Sequence, residues 1–417
     1  MKNLLLSFAF LFTIFSFVYA QEKKCGNFHA ANPLEERAIQ HILQTQKAIN
    51  LTARTANTPF TIPVLFHIIH TTTTNDAVNQ LTTKQIEEQI KIINADFNRL
   101  HADTVNTPNE FKSVASSINI QFVLAQIDSN KTALKERGII RHYGFSNIRW
   151  QPHLFDKEVK TKTIRNPTQY LNIWIVEKLD SNLVGYAQFP DFSGLQGLPN
   201  KTGTALTDGI VITANTMASL GENIPLPLGN TYGRTLTHEI GHFLGLRHTF
   251  DDTETKSCVD NDFCTDTPPL RQQTNGCRVR TEDLCSAVAM PQNFMDYTND
   301  KCMNIFTKQQ VERMQLVLNH CPRRKELSIS TTTAMEDAFI SESLQITYQN
   351  QQLCLQSANN WIEQVTIFNL LGQTIFTNQC HNSTNVCVEI DNYSKNMYLV
   401  QIVTSKGYVM KKILISN

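Results

Sequence analysis

One short segment with three histidines and a glutamate constrains this chain more than any other feature of its sequence. The segment reads His238-Glu239-Ile240-Gly241-His242-Phe243-Leu244-Gly245-Leu246-Arg247-His248. Residues four apart lie on one face of a helix, so His238 and His242 can direct their imidazole nitrogens to a single metal ion. The spacing therefore predicts a metal-binding helix.

The residues around these two histidines extend the prediction to a catalytic zinc site. Gly245 can adopt a positive φ and end the helix, so that the chain turns and brings His248 to the same ion. Three protein ligands leave one position open, which is typical of catalytic zinc. Glu239 would face that position and take a proton from the attacking water. The alternative is an amphipathic core helix with incidental histidines, which the full motif disfavours.

The full motif resembles that of the metzincin metallopeptidases, and a second segment resembles the pappalysin family within that clan. This segment, similar to the family's Met-turn, reads Asn293-Phe294-Met295-Asp296-Tyr297. The resemblance implies that Met295 forms an apolar floor under the metal and that Tyr297 reaches toward the zinc to stabilise the oxyanion. Without the zinc motif, Met295 would be interpreted as an ordinary core residue.

The resemblance covers the region of residues 55–325 and implies an α+β catalytic domain. Its expected parts are a twisted five-stranded mixed sheet with helices, a cleft beneath it and a lower subdomain after Gly245. Apolar, β-rich runs predict strands at residues 60–69, 118–127, 170–176 and 209–213. A stripe that begins after Thr82 or Thr83 predicts a helix with Ile86, Ile90, Ile93, Phe97 and Leu100 on one face. Residues 184–189 predict an edge strand, which by resemblance would bind peptide substrate as an added strand.

An acidic loop separates the zinc motif from the Met-turn and predicts calcium. Its carboxylates are those of Asp251, Asp252, Asp260, Asp262 and Asp266. Clustered carboxylates repel one another unless they are solvated or bridged by a hard cation such as Ca²⁺. The family resemblance implies Asp262, Asp266 and Thr267 as calcium ligands, and a solvated acidic loop is the alternative.

The chain has ten cysteines, most of which should form disulfides in an exported protein. The resemblance implies the pairs Cys258–Cys285 and Cys277–Cys302. Cys264 and Cys321 have no partner in that scheme, and a bond between them is a guess. Near the C-terminus, Cys380 and Cys387 flank a short turn and could pair, which would leave Cys354 as an odd thiol.

The first residues predict export. Residues 1–20 combine Lys2, an apolar run and a small residue before Gln21, which is typical of a cleaved signal peptide; a membrane anchor is the alternative. No later segment has the apolar length to span a bilayer, so no membrane span is expected after signal removal. The expected location is extracellular, either secreted or on the cell surface.

The polar residues 21–54 predict a propeptide that keeps the enzyme latent. Cys25, followed by Gly26, resembles the cysteine switch of this family, and a disulfide is the alternative. The resemblance implies that the Cys25 thiolate binds the zinc and excludes the catalytic water until the propeptide is cut near Arg54.

After a Ser- and Thr-rich linker at residues 326–340, short strands predict a small β-sandwich over residues 341–417. This part resembles the C-terminal sorting domain of type IX secretion substrates of Bacteroidota. The matching pieces are Val365-Thr366-Ile367-Phe368-Asn369-Leu370-Leu371-Gly372, Met397-Tyr398-Leu399-Val400 and Lys411-Lys412-Ile413-Leu414-Ile415. The resemblance implies recognition by the type IX secretion machinery, and a sandwich that binds carbohydrate or protein is the alternative.

Net charge and motifs together indicate the class of partner. The formal net charge is zero, which argues against nucleic acid as a partner. The leading hypothesis is a secreted zinc endopeptidase, made as a zymogen, that acts on proteins or peptides. The alternative is a catalytically silent, calcium-stabilised surface binding protein with the same fold. Several family members cleave beside arginine through an acidic residue shortly before the last loop cysteine of the catalytic domain. Here that neighbourhood reads Asp300-Lys301-Cys302, and Lys301 argues against this selectivity.

Overall fold

The computed structural model describes most of the chain after its first 58 residues. The described residues are 59–128, 132–191, 203–218, 232–252, 256–258, 262–279, 281–328, 344–349, 352–357, 361–369, 374–389, 396–404 and 407–415. The predicted signal peptide and propeptide, with Cys25, lie outside them. Within the described ranges, no helix has the combination of length and apolar character that a membrane crossing requires.

The part of the chain predicted to be catalytic, residues 59–328 and here named the catalytic unit, alternates strands with helices. Its strands are β1 (Phe60–Ile69), β2 (Ala115–Ser116), β3 (Ile120–Leu124), β4 (Ile139–His142), β5 (Arg149–Trp150), β6 (Leu171–Val176), β7 (Lys178–Leu179), β8 (Gly185–Ala187), β9 (Ile210–Thr213) and β10 (Phe306–Thr307). Its helices are α1 (Thr83–Phe97), α2 (Pro152–Phe155), α3 (Thr161–Thr163), α4 (Arg234–Phe243), α5 (Lys308–His320) and α6 (Pro322–Ser328). A π-helical turn, Asp156–Lys160, joins α2 to α3. Short 3-10 turns lie at Ala77–Gln80, Ala102–Asn106, Asn109–Phe111, Asp180–Asn182, Ala214–Thr216, Thr281–Asp283 and Asp300–Cys302.

The main sheet is mixed, as predicted, but it has six strands rather than five. Its order is β3-β1-β6-β9-β8, and β4 also pairs with β1. β1 spans ten residues, so its first half pairs with β3 and its second half with β4. All pairings are parallel except that of β8, which runs antiparallel to β9 at the edge of the sheet.

Helix α1 packs an apolar face against this sheet. Thr82 and Gln85 form a capping box, in which the side chain of each accepts a hydrogen bond from the backbone amide of the other. Two amide groups that would otherwise be unpaired at the start of the helix are thereby satisfied. The predicted stripe is buried as far as Phe97. The helix ends there, and Leu100 is 78% exposed rather than part of the stripe.

The catalytic unit continues past its predicted end at residue 325. Helix α6 runs to Ser328, and Leu327 is fully buried in the same core as the strands of the main sheet. The first part of the predicted linker at 326–340 is therefore helical and packed. The rest of that predicted linker, residues 329–340, lies outside the described residues.

The C-terminal part is all β, as predicted. Its strands are β11 (Leu344–Gln349), β12 (Gln352–Ser357), β13 (Ile362–Phe368), β14 (Thr374–Ser383), β15 (Asn385–Glu389), β16 (Asn396–Thr404) and β17 (Gly407–Ile415). They form two antiparallel sheets, β11-β12-β15 and β14-β13-β16-β17. Buried side chains of both sheets, such as Leu353 and Val365, share one apolar core.

The disulfide of this C-terminal part differs from the prediction. Cys354 is bonded to Cys387, and Cys380 forms no disulfide with any described residue. The register of β12 and β15 places Cys354 directly opposite Cys387, whereas Cys380 lies on β14 in the other sheet. Strand pairing, rather than closeness in sequence, therefore decides the bond.

Candidate metal centre

The three histidines of the motif converge on one point. The Nε2 atom of His242 lies 3.1 Å from Nε2 of His238 and 3.0 Å from Nε2 of His248. Tetrahedral zinc with bonds of about 2.0–2.1 Å would hold its nitrogen ligands about 3.3 Å apart. The spacing of the three nitrogens therefore fits a single zinc ion, and all three rings are buried.

The other nitrogen of each ring has its own hydrogen-bond acceptor. His238 Nδ1 donates to the Phe294 carbonyl at 2.7 Å, and His242 Nδ1 donates to the Leu246 carbonyl at 2.8 Å. His248 Nδ1 lies 2.9 Å from both carboxylate oxygens of Asp252. Because these acceptors hold the proton on Nδ1, each Nε2 keeps a lone pair for the metal.

Gly245 makes the turn that brings in the third ligand. Its φ is +89°, a conformation that favours glycine, and the amide of Leu246 donates to the Gly241 carbonyl at 2.9 Å. Arg313 on α5 stabilises the turn, because its Nε donates to the Gly245 carbonyl at 2.7 Å. The predicted helix-ending role of Gly245 is confirmed.

Met295 lies directly beneath the ligand helix α4. A Cβ atom added at Gly241 would overlap the Met295 Sδ atom, so the sulfur packs against the helix between His238 and His242. The Met295 amide donates to the side chain of Asn293 at 2.9 Å, and Asn293 is joined to Gln310 on α5. The turn is thereby tied to the next helix, and the role of Met295 as a floor under the metal stays a prediction.

Glu239 and Tyr297 both lie beside the ligands. Glu239 is fully buried on α4, next to His238 in the sequence. The Tyr297 ring centroid is 4.9 Å from that of His248 and 5.7 Å from that of His238. The structure thus brings the three histidines and Tyr297 together, with Met295 packed against α4 and Glu239 buried on that helix.

A buried ionic network fixes the start of α4. The Arg234 guanidinium pairs with Asp96 at 3.3 Å and with Asp103 at 2.8 Å, and Thr237 also donates to Asp96. Burial raises the pKa of Asp96. For Asp103 burial also acts to raise the pKa, but the hydrogen bonds and charges of Arg234 and His101 together outweigh it and lower the pKa. Asp300 accepts from the Arg234 amide at 3.0 Å. The network holds the ligand helix against α1 and the loop before β10.

The predicted calcium ligands form a hydrogen-bonded group away from the histidines. Asp262 accepts from the Thr267 hydroxyl at 2.6 Å and from the Gln310 amide at 3.2 Å. Burial raises the pKa of Asp262 to about 7. Asp266 accepts from the amide of Gln309 near the start of α5 at 3.0 Å. Within the described ranges, the one group of three or more metal-type side chains is that of the histidines, so calcium stays a prediction.

Two disulfides staple the loop between the zinc motif and the end of the Met-turn. Cys258 is bonded to Cys285 and Cys277 to Cys302, which confirms both predicted pairs. The guessed bond between Cys264 and Cys321 is wrong, since neither residue is in a disulfide in the described part of the chain.

Asp252 is the functional residue that sequence reasoning missed. It was grouped with the acidic loop as a possible contributor to calcium binding, yet its carboxylate lies against the ring of His248. The position of Asp252, four residues after the third histidine, is the one signal in the sequence that could have indicated this contact.

Comparison with known proteins gives a consistent result. The family described as Pregnancy-associated plasma protein-A matches residues 153–319, and a domain of unknown function matches residues 332–415. An extracellular metalloprotease of Arthroderma otae is 36% identical over 171 residues, which cover 40% of this chain and 58% of that relative. One from Arthroderma gypseum is 26% identical over 303 residues, which cover 72% of this chain and 84% of that relative.

Two solved structures resemble the catalytic unit. Mature mirolysin of Tannerella forsythia, in complex with a cleaved peptide, is 35% identical with a TM-score of 0.55, and the match covers 66% of this chain and 98% of mirolysin. A promirolysin variant of the same organism is 31% identical with a TM-score of 0.57, and the match covers 75% of this chain and 99% of promirolysin.

Proposed function

Because the chain belongs to the metallopeptidase family described as Pregnancy-associated plasma protein-A, we propose that it is an extracellular zinc endopeptidase acting on proteins or peptides. The observation that carries the proposal is the convergence of three imidazole nitrogens beside a buried carboxylate. The extracellular location is supported by relatives that are named extracellular metalloproteases.

The imidazoles of His238, His242 and His248 would hold the zinc ion through Nε2. When bound, zinc supplies a Lewis acid that acidifies water and polarises the scissile carbonyl. The Nδ1 acceptors of the three rings keep them oriented, and the helix network around Arg234 keeps α4 in place.

Glu239 acts as the general base. Its carboxylate accepts a proton from the attacking water and returns the proton to the leaving amine, so no covalent intermediate with the enzyme forms. Tyr297 packs against two of the three ligand rings, which supports a role for its phenol in stabilising the oxyanion.

Strand β8 provides the substrate-binding edge. It pairs on one side with β9 and ends the sheet on its other side. An extended peptide that adds to this edge would be held by main-chain hydrogen bonds, which require little side-chain selectivity. The peptide bond would then pass next to α4, which packs against β8.

Export and latency belong to the same proposal. A signal peptide at residues 1–20 would direct the chain out of the cytoplasm, and Cys25 in the propeptide would bind the zinc until cleavage near Arg54. Latency is supported by a neighbour described as a pro-form, promirolysin. The C-terminal part, residues 341–417, would be the sorting signal for type IX secretion.

Calcium binding by Asp262, Asp266 and Thr267 is also proposed. One carboxylate oxygen of Asp266 is buried without a hydrogen-bond partner in the described part of the chain, and a cation would satisfy it. The ion would stabilise the loop that the two disulfides close.

Substitution of the general base tests the proposed function. In Glu239→Ala, peptide cleavage should fall by a factor on the order of 10²–10⁴, because the proton acceptor is lost, while zinc stays bound. Turnover of a quenched peptide and zinc content by atomic emission would be measured, with the exposed Glu110→Ala as the matched control.

The result also separates the two classes of function. Cleavage that survives both Glu239→Ala and chelation with phenanthroline would remove the proposed chemistry. A wild-type protein that binds zinc and peptides but cleaves none would favour the silent binding protein.

A further inference from the structure

The edge strand β8 lies between the ligand helix and a buried cluster on the opposite face of the sheet. Successive side chains of a strand point to opposite faces. Ala187 packs in the main core with Leu236 and Ile240 of α4. Tyr186 packs on the other face, with Trp150 and Trp174. Gly185, two residues before Ala187, therefore faces α4.

The space that a side chain at residue 185 would need is occupied by Glu239. A Cβ atom added at Gly185 would lie 2.7 Å from Glu239 Oε1 and 3.0 Å from both its Cδ and its Cγ atoms. These distances are shorter than ordinary van der Waals contact, and every one of the three atoms belongs to the carboxylate side chain. The absence of a side chain at residue 185 thus makes room for the general base.

The backbone gives no other reason for glycine at this position. Gly185 is not among the residues with positive φ, and it pairs in ordinary antiparallel register with Ile212. Any residue could adopt this extended conformation. Glycine in a strand costs stability relative to alanine, so a nearby group must account for it.

The strand itself is held too firmly to move aside. The Tyr186 hydroxyl donates to Asp156 at 2.7 Å, and the buried Lys160 lies 2.9 Å from the same carboxylate. Lys160 Nζ is 4.6 Å from the centre of the Tyr186 ring and donates to the Thr207 carbonyl at 3.1 Å. Lys160 is buried whereas Asp156 is partly exposed, so separating them would leave the lysine charge unpaired inside the protein, which is costly. A methyl group at residue 185 would therefore displace Glu239 rather than β8.

From these contacts we infer that Gly185 is a positioning residue for Glu239. The absence of a side chain at residue 185 leaves a space between β8 and α4 that holds the carboxylate of Glu239. The Tyr186–Asp156–Lys160 cluster keeps β8, which bounds this space, in place. The inference rests on the proposed function for its catalytic meaning, but the packing between the two residues is independent of it.

Gly185→Ala tests the catalytic part. A displacement of about 1 Å at a catalytic group can cost on the order of 10²-fold in rate, so kcat should fall by about that factor. KM should change little, because the free edge of β8 binds peptide through its main chain. A rise in KM with unchanged kcat would overturn the inference, since it would assign Gly185 to substrate binding.

The matched control is Gly144→Ala. Gly144 has a φ of +91° and no atom within 4 Å of an added Cβ, so the change strains the backbone without touching Glu239. This variant should lose stability through strain and keep the wild-type kcat. Comparable loss of kcat in both variants would mean that instability, rather than the position of Glu239, explains the effect.

A double-variant cycle tests the packing without any activity measurement. Gly185→Ala should lower the melting temperature of the zinc-loaded chain by roughly 2–4 °C. In the Glu239→Ala background the Cγ, Cδ and carboxylate atoms are gone, so the same change should leave the melting temperature unchanged or raise it. Equal decreases in both backgrounds would overturn the inference.

The cycle also separates this inference from the proposed function. If Gly185→Ala fails to fold in the wild-type background, folding in the Glu239→Ala background still supports the contact, and failure in both overturns it. If the wild-type chain cleaves no peptide, the proposed function fails while the melting temperatures still report on the contact.

Discussion

Asp252 gives His248 a different environment from those of His238 and His242, the other two proposed zinc ligands. His238 and His242 donate to backbone carbonyls, whereas His248 donates to a carboxylate. A carboxylate partner raises the basicity of an imidazole more than a neutral carbonyl does, and it makes the ring a better metal ligand. The difference predicts that one side chain outside the ligand set controls zinc affinity.

Asp252→Ala should weaken zinc binding by about 10–100-fold, because His248 loses the partner that orients its ring. Zinc affinity would be measured by competition with a chromophoric chelator. Asp252→Asn keeps an acceptor without the charge and should give an intermediate affinity. Unchanged zinc affinity in Asp252→Ala would contradict this role.

At this scale the sequence predicted the ligands and missed their partners. His238, Glu239, His242 and His248 are fixed by helical spacing and by the glycine turn, which are local properties. The contact between Gly185 and Glu239 joins two distant parts of the chain, so no local pattern contains it. Nothing in the sequence distinguishes Asp252, which contacts His248, from the other acidic residues of the loop that follows.

Among the elements, β1, β4 and β6 meet at a pair of histidines, of which His67 is buried and His142 is half-buried. The ring of His67 on β1 stacks on that of Trp174 on β6, with 5.0 Å between the ring centroids. Its Nδ1 atom lies 3.0 Å from the Nε2 atom of His142 on β4. Burial, followed by the nearby His142, lowers the pKa of His67 to about 3. Burial, followed by Arg165, lowers the pKa of His142 to about 4. Both rings are therefore neutral in the folded protein at neutral pH.

This pair predicts a loss of stability in acid. Unfolded histidine takes up a proton near pH 6.5, so the stabilising contribution is complete above that pH. It decreases as the pH falls toward 4 for His142 and toward 3 for His67. Each proton taken up on unfolding adds a slope of about 1.4 kcal/mol per pH unit.

The test compares the wild type with His142→Gln, which keeps a hydrogen-bonding side chain but does not titrate. Free energies of unfolding in urea would be measured between pH 7 and pH 4. The variant should show the smaller decrease, because one fewer proton is taken up and other acidic groups contribute equally to both. Parallel pH profiles would contradict the assignment.

Strand and helix interiors were predictable, and their ends were not. The burial of Ile86, Ile90, Ile93 and Phe97 follows from helical periodicity, but Leu100 lies beyond the end of α1. The sequence does not predict β4, because Ile139–His142 is short and only its first residue is buried. The strand forms because it pairs with β1. α6 begins at a proline and precedes a Ser- and Thr-rich stretch, so its composition does not indicate that Leu327 is buried.

In the whole molecule, the largest apolar core of the described catalytic unit is separate from the core of the C-terminal unit. One core draws on residues from Phe60 to Leu327, and the other on residues from Leu344 to Ile415. A unit with its own core and its own disulfide can fold by itself. The catalytic unit should therefore not need the C-terminal sheets for its chemistry.

A chain that ends at residue 343 should keep the wild-type kcat on a small peptide and the melting transition of the catalytic unit. Calorimetry and peptide turnover would check this. The matched control ends at residue 321, which removes α6 with the buried Arg324 and Leu327, and it should unfold or aggregate. Loss of activity on removal of residues 344–417 alone would show that the two units depend on each other.

Arg324 joins parts of the catalytic unit that are far apart in the sequence. Its guanidinium donates to the Phe243 carbonyl at the end of α4, to the Gln188 carbonyl just after β8 and to the carboxylate of Asp208. Leu327 lies in the same core as the strand at residue 60, where the unit begins. During synthesis, the amino-terminal residues leave the ribosome first. Their contacts with Arg324 and Leu327 can form only after those two residues have followed. The catalytic unit can therefore complete its fold only after synthesis has reached Leu327, so the proposed peptide hydrolysis would begin only once nearly the whole unit has been made.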